Sequence, residues 1–324
     1  MSRLSDVASW ASRHRRLLGA VQLIVLVVFF AAVAWALRGS VHGAVHDLEH
    51  ANVVLFGLGC AALATYYLVF VVGWVWILGE WGVQISYPVA LRAEMISMLA
   101  KYIPGGIWAP AARVVAARRA GVTDVALVTS SMLLEAGLSA VAGVIVFVVS
   151  LPFVDDVNAP LAPLLAFGGV LAILVQPRVF RPLAGWVLRK FGYTKDLPDM
   201  RGRTISGLLL FYAGTWLIGG FALWLLLRSV GAHPEPAMIV YLGGVAAVGA
   251  IVAVVFIFAP SGLGPREALM YGLMLAVATP GQALGAVALN RVALTLVELL
   301  VLFVGGLLLR GAGEPATAAE GAPT

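Results

Sequence analysis

Two Pro-Gly breaks, each flanked by charge, interrupt otherwise apolar sequence, and they constrain the fold more than any other feature of the chain. The first reads Lys101-Tyr102-Ile103-Pro104-Gly105-Gly106-Ile107-Trp108, with Arg113 following. The second reads Pro260-Ser261-Gly262-Leu263-Gly264-Pro265-Arg266-Glu267. Such breaks free backbone N–H and C=O groups that lipid cannot satisfy. They are tolerated at membrane depth only where the backbone is buried in protein or lines a wet cavity. Charged breaks of this kind point to a substrate site rather than a purely structural bundle.

The surrounding sequence requires a membrane. Of 324 residues, 61% are hydrophobic and 11% charged, with a mean hydropathy of +0.99. A soluble domain carries about 25% charged residues. The expected fold is all-α, a polytopic bundle of about eight spans with two Pro/Gly-broken re-entrant hairpins. Full spans are expected near 17–37, 53–78, 124–151, 160–176, 204–228, 237–259 and 282–309, with shorter arms at 88–103, 107–120 and 265–279. The run from Leu17 to Leu37 is too long for a signal-peptide core and reads as an uncleaved span. Gly121 suits a helix C-cap and Thr123 an N-cap. The membrane domain is expected over 1–311, followed by a disordered cytoplasmic tail over 312–324.

Basic residues set the orientation. Four lie near the N-terminus and seven between 177 and 203, while Arg118 and Arg119 follow the first break and Arg310 the last span. Both termini are therefore expected in the cytoplasm of a cell with the chain in its plasma or inner membrane. Pro104 and Pro260 lie 156 residues apart, and the same shift lays the spans around the first break onto those around the second. Under the charge-based orientation the two halves run in opposite directions, as an inverted repeat requires.

The candidate site residues follow from the breaks and from charges inside spans. Gly105 and Gly106 permit a tight reversal after Pro104. The arm that follows presents free N–H groups and a positive dipole end, with Lys101 and Arg113 placed to hold an anion. At the second break, after Pro260, Gly262 and Gly264 allow the turn and Pro265 suits a first helical position. Glu267 is favourable at that N-terminus, whereas Arg266 needs a partner such as a phosphate or a carboxylate. Glu135 sits about 18 Å into its span at 1.5 Å per residue, and Arg291 lies at similar depth in the last. The 156-residue shift superposes them, so they are expected to face a central cavity as a pair, with Glu298 extending the network. An ion at that depth costs several kcal/mol without a partner or water.

Other signals carry less. His42, His46 and His50 read as a solvated face rather than a metal site, and Cys60 as packing. Gly243-Gly244 and Gly305-Gly306 suit close helix packing. There is no Walker loop, G-x-S-x-G or H-E-x-x-H. No enzyme activity, cofactor, metal or nucleic-acid partner is expected.

At these residues the chain resembles the lysylphosphatidylglycerol synthase transmembrane-region family, a flippase-like superfamily. The resemblance is carried by Lys101 to Gly106 with Arg113, by Glu135, by Pro260 to Glu267, and by Arg291. Ser261 stands where the family often has Gly, Pro265 where a small aliphatic is usual, and Ala136 where Arg is common. The resemblance implies lipid translocation, without the cytosolic domain that attaches an amino acid to lipid in full-length synthases. The expected function is a lipid flippase that binds an anionic or zwitterionic phospholipid headgroup in a central polar cavity. A polyprenyl-phosphate or polyprenyl-phosphate-sugar substrate would use the same cationic site. A third reading is a non-transporting partner that presents lipid to a separate synthase or glycosyltransferase. In the transporting readings Glu135 and Glu267 are the candidates for proton coupling.

Overall fold

A computed structural model describes residues 45–100, 108–119, 121–122, 124–154, 161–190, 197–256 and 262–308. Its helices, in chain order, are α1 (Val53–Glu80), α2 (Tyr87–Ala100), α3 (Trp108–Arg119), α4 (Val125–Ser150), α5 (Leu161–Leu174), α6 (Pro177–Lys190), α7 (Gly202–Ser229), α8 (Met238–Val255), α9 (Pro265–Met274) and α10 (Pro280–Leu308). A single 3₁₀ turn, Leu151–Phe153, extends α4, and no strand occurs among the described residues. The expected span at 17–37, the tips of both breaks at 101–107 and 257–261, and the tail lie outside the described residues.

Local chemistry explains where these helices begin and end. Asn52 caps α1, its Oδ1 accepting the N–H groups of Val54 and Leu55. Gly82, at φ +76°, closes that helix with a bond to the Gly79 carbonyl. Gly121, at φ +90°, ends α3 as the sequence suggests, with Val122 N–H reaching back to the Ala117 carbonyl in a Schellman arrangement. The N-cap of α4 is Asp124 rather than Thr123. Its carboxylate accepts the Leu127 N–H at 3.0 Å.

Among the described residues five helices (α1, α4, α7, α8 and α10) are long and apolar enough to cross a bilayer, which makes this a multi-pass membrane protein. Large apolar side chains face outward along them, among them Leu210, Val254 and Phe303. By contrast α2, α3 and α9, with 14, 12 and 10 residues, reach only about 15–21 Å, against a hydrocarbon core of about 30 Å. The expected span at 160–176 also differs. Its helix α5 ends at Leu174, and the chain turns by 77° into α6. Pro177 has no N–H to continue the α5 ladder. The first part of the basic 177–203 segment is thus a helix, with Leu183, Trp186 and Val187 exposed on one side and Arg178 and Arg189 on the other.

The helix contacts repeat in a pairwise way. α1 packs on α7. α4 packs on α7 and α8, and correspondingly α10 packs on α1 and α2. α2 lies on α3 as α8 lies on α9, and α3 meets α4 as α9 meets α10. Exchanging α1–α4 with α7–α10 maps each of these contacts onto another. That is the pattern a two-fold relation between the halves produces, and it matches the 156-residue shift.

Glycines set the closest of these contacts. A Cβ on Gly220 would lie 2.2 Å from the Ile239 carbonyl oxygen and 2.4 Å from the Gly243 nitrogen. Both obstacles are backbone, so neither can rotate away. On the other face of α8, a Cβ on Gly244 would lie 2.5 Å from Phe147 Cα in α4. Gly220→Ala is expected to destabilise the protein by roughly 1–3 kcal/mol, the usual range for overpacking. A thermal unfolding midpoint equal to wild type would refute that contact.

Candidate functional site

The structure gathers the intramembrane charges into two pairs, one in each half. In the first, Arg113 of α3 donates from Nη1 to Glu135 Oε2 of α4 at 2.7 Å. In the second, Arg291 of α10 donates from Nη1 to Glu267 Oε1 of α9 at 3.4 Å. This corrects the expected Glu135–Arg291 pair. The two residues do occupy equivalent helices, but each is neutralised by the short helix preceding its own. The cation sits on the short helix in the first half and on the long helix in the second, so the pairs are images with their charges exchanged.

The first pair is the more buried. Arg113 and Glu135 are 5% and 2% exposed. Glu94 of α2 joins them, its Oε2 lying 2.8 Å from the same Arg113 Nη1. The Trp74 ring from α1 covers the guanidinium at 3.9 Å, and its own Nε1–H is spent on Ser131 Oγ at 2.9 Å. Tyr212 of α7 donates to Glu135 Oε1 at 3.4 Å. Its hydroxyl fits because position 73 is glycine; a Cβ there would lie 2.2 Å from that oxygen. Arg113 is therefore engaged at Nη1 by two carboxylates. Lys101, Pro104, Gly105, Gly106 and Pro260 lie outside the described residues.

In the second half, Gly262 and Gly264 adopt φ +67° and +95°, a backbone that L side chains rarely take. A Cβ on Gly262 would also lie 2.4 Å from Ala253 Cα. Pro265 opens α9, and the Gly264 N–H donates to Glu267 Oε2 at 2.6 Å. Glu267 thus satisfies a helix terminus with one oxygen and Arg291 with the other. Glu298 is 5% exposed and accepts a hydrogen bond from the Tyr67 hydroxyl at 2.5 Å.

Arg266 stands apart from both pairs. It makes no hydrogen bond or ion pair among the described residues, and its Nε is buried without a partner. Its side chain leans on Gly249 and lines a cavity of about 180 Å³ enclosed by α1, α7, α8, α9 and α10. Tyr66, Tyr67, Trp216 and Asn290 supply the rest of its polar and aromatic wall. The cavity thus sits beside the α1–α7 contact, where the two halves meet. It offers one cation, one neutral amide and three aromatic faces.

Sequence reading missed Glu94, Trp74, Tyr67 and Tyr212. Glu94 was detectable as an acidic residue inside the apolar arm Leu91–Ala100. The aromatics carry no such signal, since nine Trp and eight Tyr are spread along the chain.

The family model described as lysylphosphatidylglycerol synthase TM region matches residues 20–302, most of the chain and every helix just described except the last turns of α10. None of the curated proteins matches this chain.

Proposed function

The chain belongs to the lysylphosphatidylglycerol synthase TM region family, and from that premise we propose that it carries a phosphate-bearing lipid headgroup across the bilayer. The observation that supports this is the Arg266 guanidinium in the wall of the central cavity, which has no counter-ion among the described residues. A charge out of water without a partner is costly. A lipid phosphate supplies that partner, and guanidinium binds phosphate bidentately. The cavity volume of about 180 Å³ is below the roughly 300–1,000 Å³ of sites for drug-sized ligands. It suits a headgroup whose hydrocarbon chains stay in lipid. In this reading the chain is a carrier and not an enzyme. Both termini face the cytoplasm and the membrane is the plasma or inner membrane.

The test is headgroup accessibility in proteoliposomes of the purified chain, across lipids of known headgroup. Wild type is expected to move at least one phosphate-bearing lipid, and Arg266→Gln to slow that movement by about 10-fold or more, the weight of one charge-assisted contact of roughly 1.5–3 kcal/mol. No lipid movement above protein-free vesicles, or equal rates for both proteins, refutes the proposal. Mass spectrometry of co-purified lipid distinguishes a glycerophospholipid from a polyprenyl phosphate.

A further inference from the structure

Glu94, Arg113 and Glu135 form a buried cluster whose charges do not balance. Two carboxylates converge on one guanidinium nitrogen, at 2.8 and 2.7 Å. The side chains of Glu94, Arg113 and Glu135 are 13%, 6% and 3% exposed. With both acids ionised the cluster carries a net charge of −1. An uncompensated buried charge of that kind costs several kcal/mol. Among the described residues no second cation pairs with Glu94 or Glu135: Arg291 of α10, which packs on α2, is paired with Glu267, and Arg181 of α6, which packs on α4, with Asp199. α1 contributes the Trp74 ring, and α7 contributes the Tyr212 hydroxyl. α5 has no ionisable side chain, and Tyr241 of α8 donates to the Leu273 carbonyl. Among the described residues Glu94 Oε2 lies in ion-pair range of Arg113 but receives no aligned hydrogen bond, and Arg113 Nε and Nη2 have no acceptor. Among these residues the cluster is short of one positive charge.

We propose that Glu94, Arg113 and Glu135 form a proton-binding site, in which the two carboxylates hold one exchangeable proton between them and couple its movement to headgroup movement. The coupling rests on the carrier function proposed above; the proton site does not. The proton comes from water, forms an O–H bond to a carboxylate oxygen, and takes the cluster from −1 to neutral. It leaves to water by the reverse step. Carboxylates forced into one site share a proton in this way because like charges at contact range do not both ionise. Glu94, the most exposed of the three, is the entry point. Tyr66 in the cavity wall joins the cluster through Phe70, whose ring meets both Tyr66 and the Tyr212 that donates to Glu135. A loaded proton therefore removes negative charge near the cavity and favours an anionic headgroup there. Its release favours headgroup departure.

Infrared difference spectroscopy of the full chain in nanodiscs tests this directly. From about pH 6 to pH 9, wild type is expected to lose one protonated-carboxyl C=O band. Glu94→Gln and Glu135→Gln are each expected to lack that band, because one remaining carboxylate forms a neutral pair with Arg113. Glu267→Gln is expected to retain it. Both cluster variants reproduce the charge and size of the protonated acid, so they are expected to fold. A wild type without a titrating band refutes the site, whatever the variants do; so does a band that persists in both cluster variants. In proteoliposomes an inward-acid gradient is expected to change lipid movement by about fivefold or more, within the usual range of coupling between sites. Glu135→Gln is expected to abolish that response. A titrating band without lipid movement refutes the carrier reading and leaves the proton site standing. Lipid movement without the band refutes the proton site alone.

Discussion

Arg113→Ala is expected to destabilise the bundle more than any other single substitution, by about 3–5 kcal/mol, because it strands the partners of a buried ion pair. Here two carboxylates are stranded rather than one. Glu94 and Glu135 both converge on the nitrogen that is lost, and Trp74 loses the cation resting on its ring. At about 2 °C or more per kcal/mol for a domain of this size, the unfolding midpoint falls by roughly 6 °C or more. The loss is pH-dependent. Without Arg113 the carboxylates avoid repulsion only by taking up protons, so the deficit is smallest in acid and grows as pH rises. Combining Arg113→Met with Glu94→Gln and Glu135→Gln removes every charge and is expected to recover most of the stability, since apolar replacements of buried ion pairs are often neutral or better. Tryptophan fluorescence during heating reads all of these. An Arg113→Ala midpoint equal to wild type, or a triple variant no better than the single, would show that the cluster contributes no stability.

That cluster also marks where the sequence was readable and where it was not. Apolar run lengths located the crossing helices well, because lipid demands about 20 apolar residues and internal backbone pairing from each. The two breaks separated short helices from long ones, since Pro and Gly leave few alternatives there. The 156-residue shift laid α3 on α9 and α4 on α10 within a residue or two at each end, and it identified Glu135 and Arg291 as equivalent. Equivalence does not make partners. Residues related by a two-fold meet only if they lie near its axis. α4 and α10 instead each meet the short helix before them, which places Arg113 on Glu135 and Glu267 on Arg291. The end of α5 was also less legible. Val175 continues the apolar run in composition, but Pro177, without an N–H, follows two residues on and the chain turns by 77°. The cavity lay beyond sequence reasoning altogether. It depends on which aromatic faces of α1 and α7 come together around Arg266.

Glu267 allows the second half to be dissected one oxygen at a time. Oε2 accepts the Gly264 N–H at 2.6 Å, which closes the N-terminus of α9, and Oε1 takes Arg291 at 3.4 Å. Glu267→Ala removes both functions and is expected to cost about 2–4 kcal/mol, combining a lost cap of roughly 0.5–2 kcal/mol with a lost charge-assisted contact of about 1.5–3 kcal/mol, reduced because the pair is only half buried. Glu267→Gln keeps an acceptor for Gly264 and, at the third helical position, suits a capping box as well as Glu does. It is expected to cost about half as much. The two variants differ further in salt. The Gln variant has lost only the electrostatic part, so its deficit relative to wild type shrinks as salt screens the Glu267–Arg291 pair, whereas the capping part of the Ala deficit does not. Thermal midpoints of the three proteins at low and high salt decide the matter. Equal costs for Ala and Gln would mean that the Gly264 bond is worthless to the fold. A Gln variant as stable as wild type would mean that Arg291 draws its support from its other contacts. Only the second result would break the symmetry with the Arg113–Glu135 pair, where the charges meet at 2.7 Å in a buried site. The halves would then share a helix arrangement while the first alone relies on its ions.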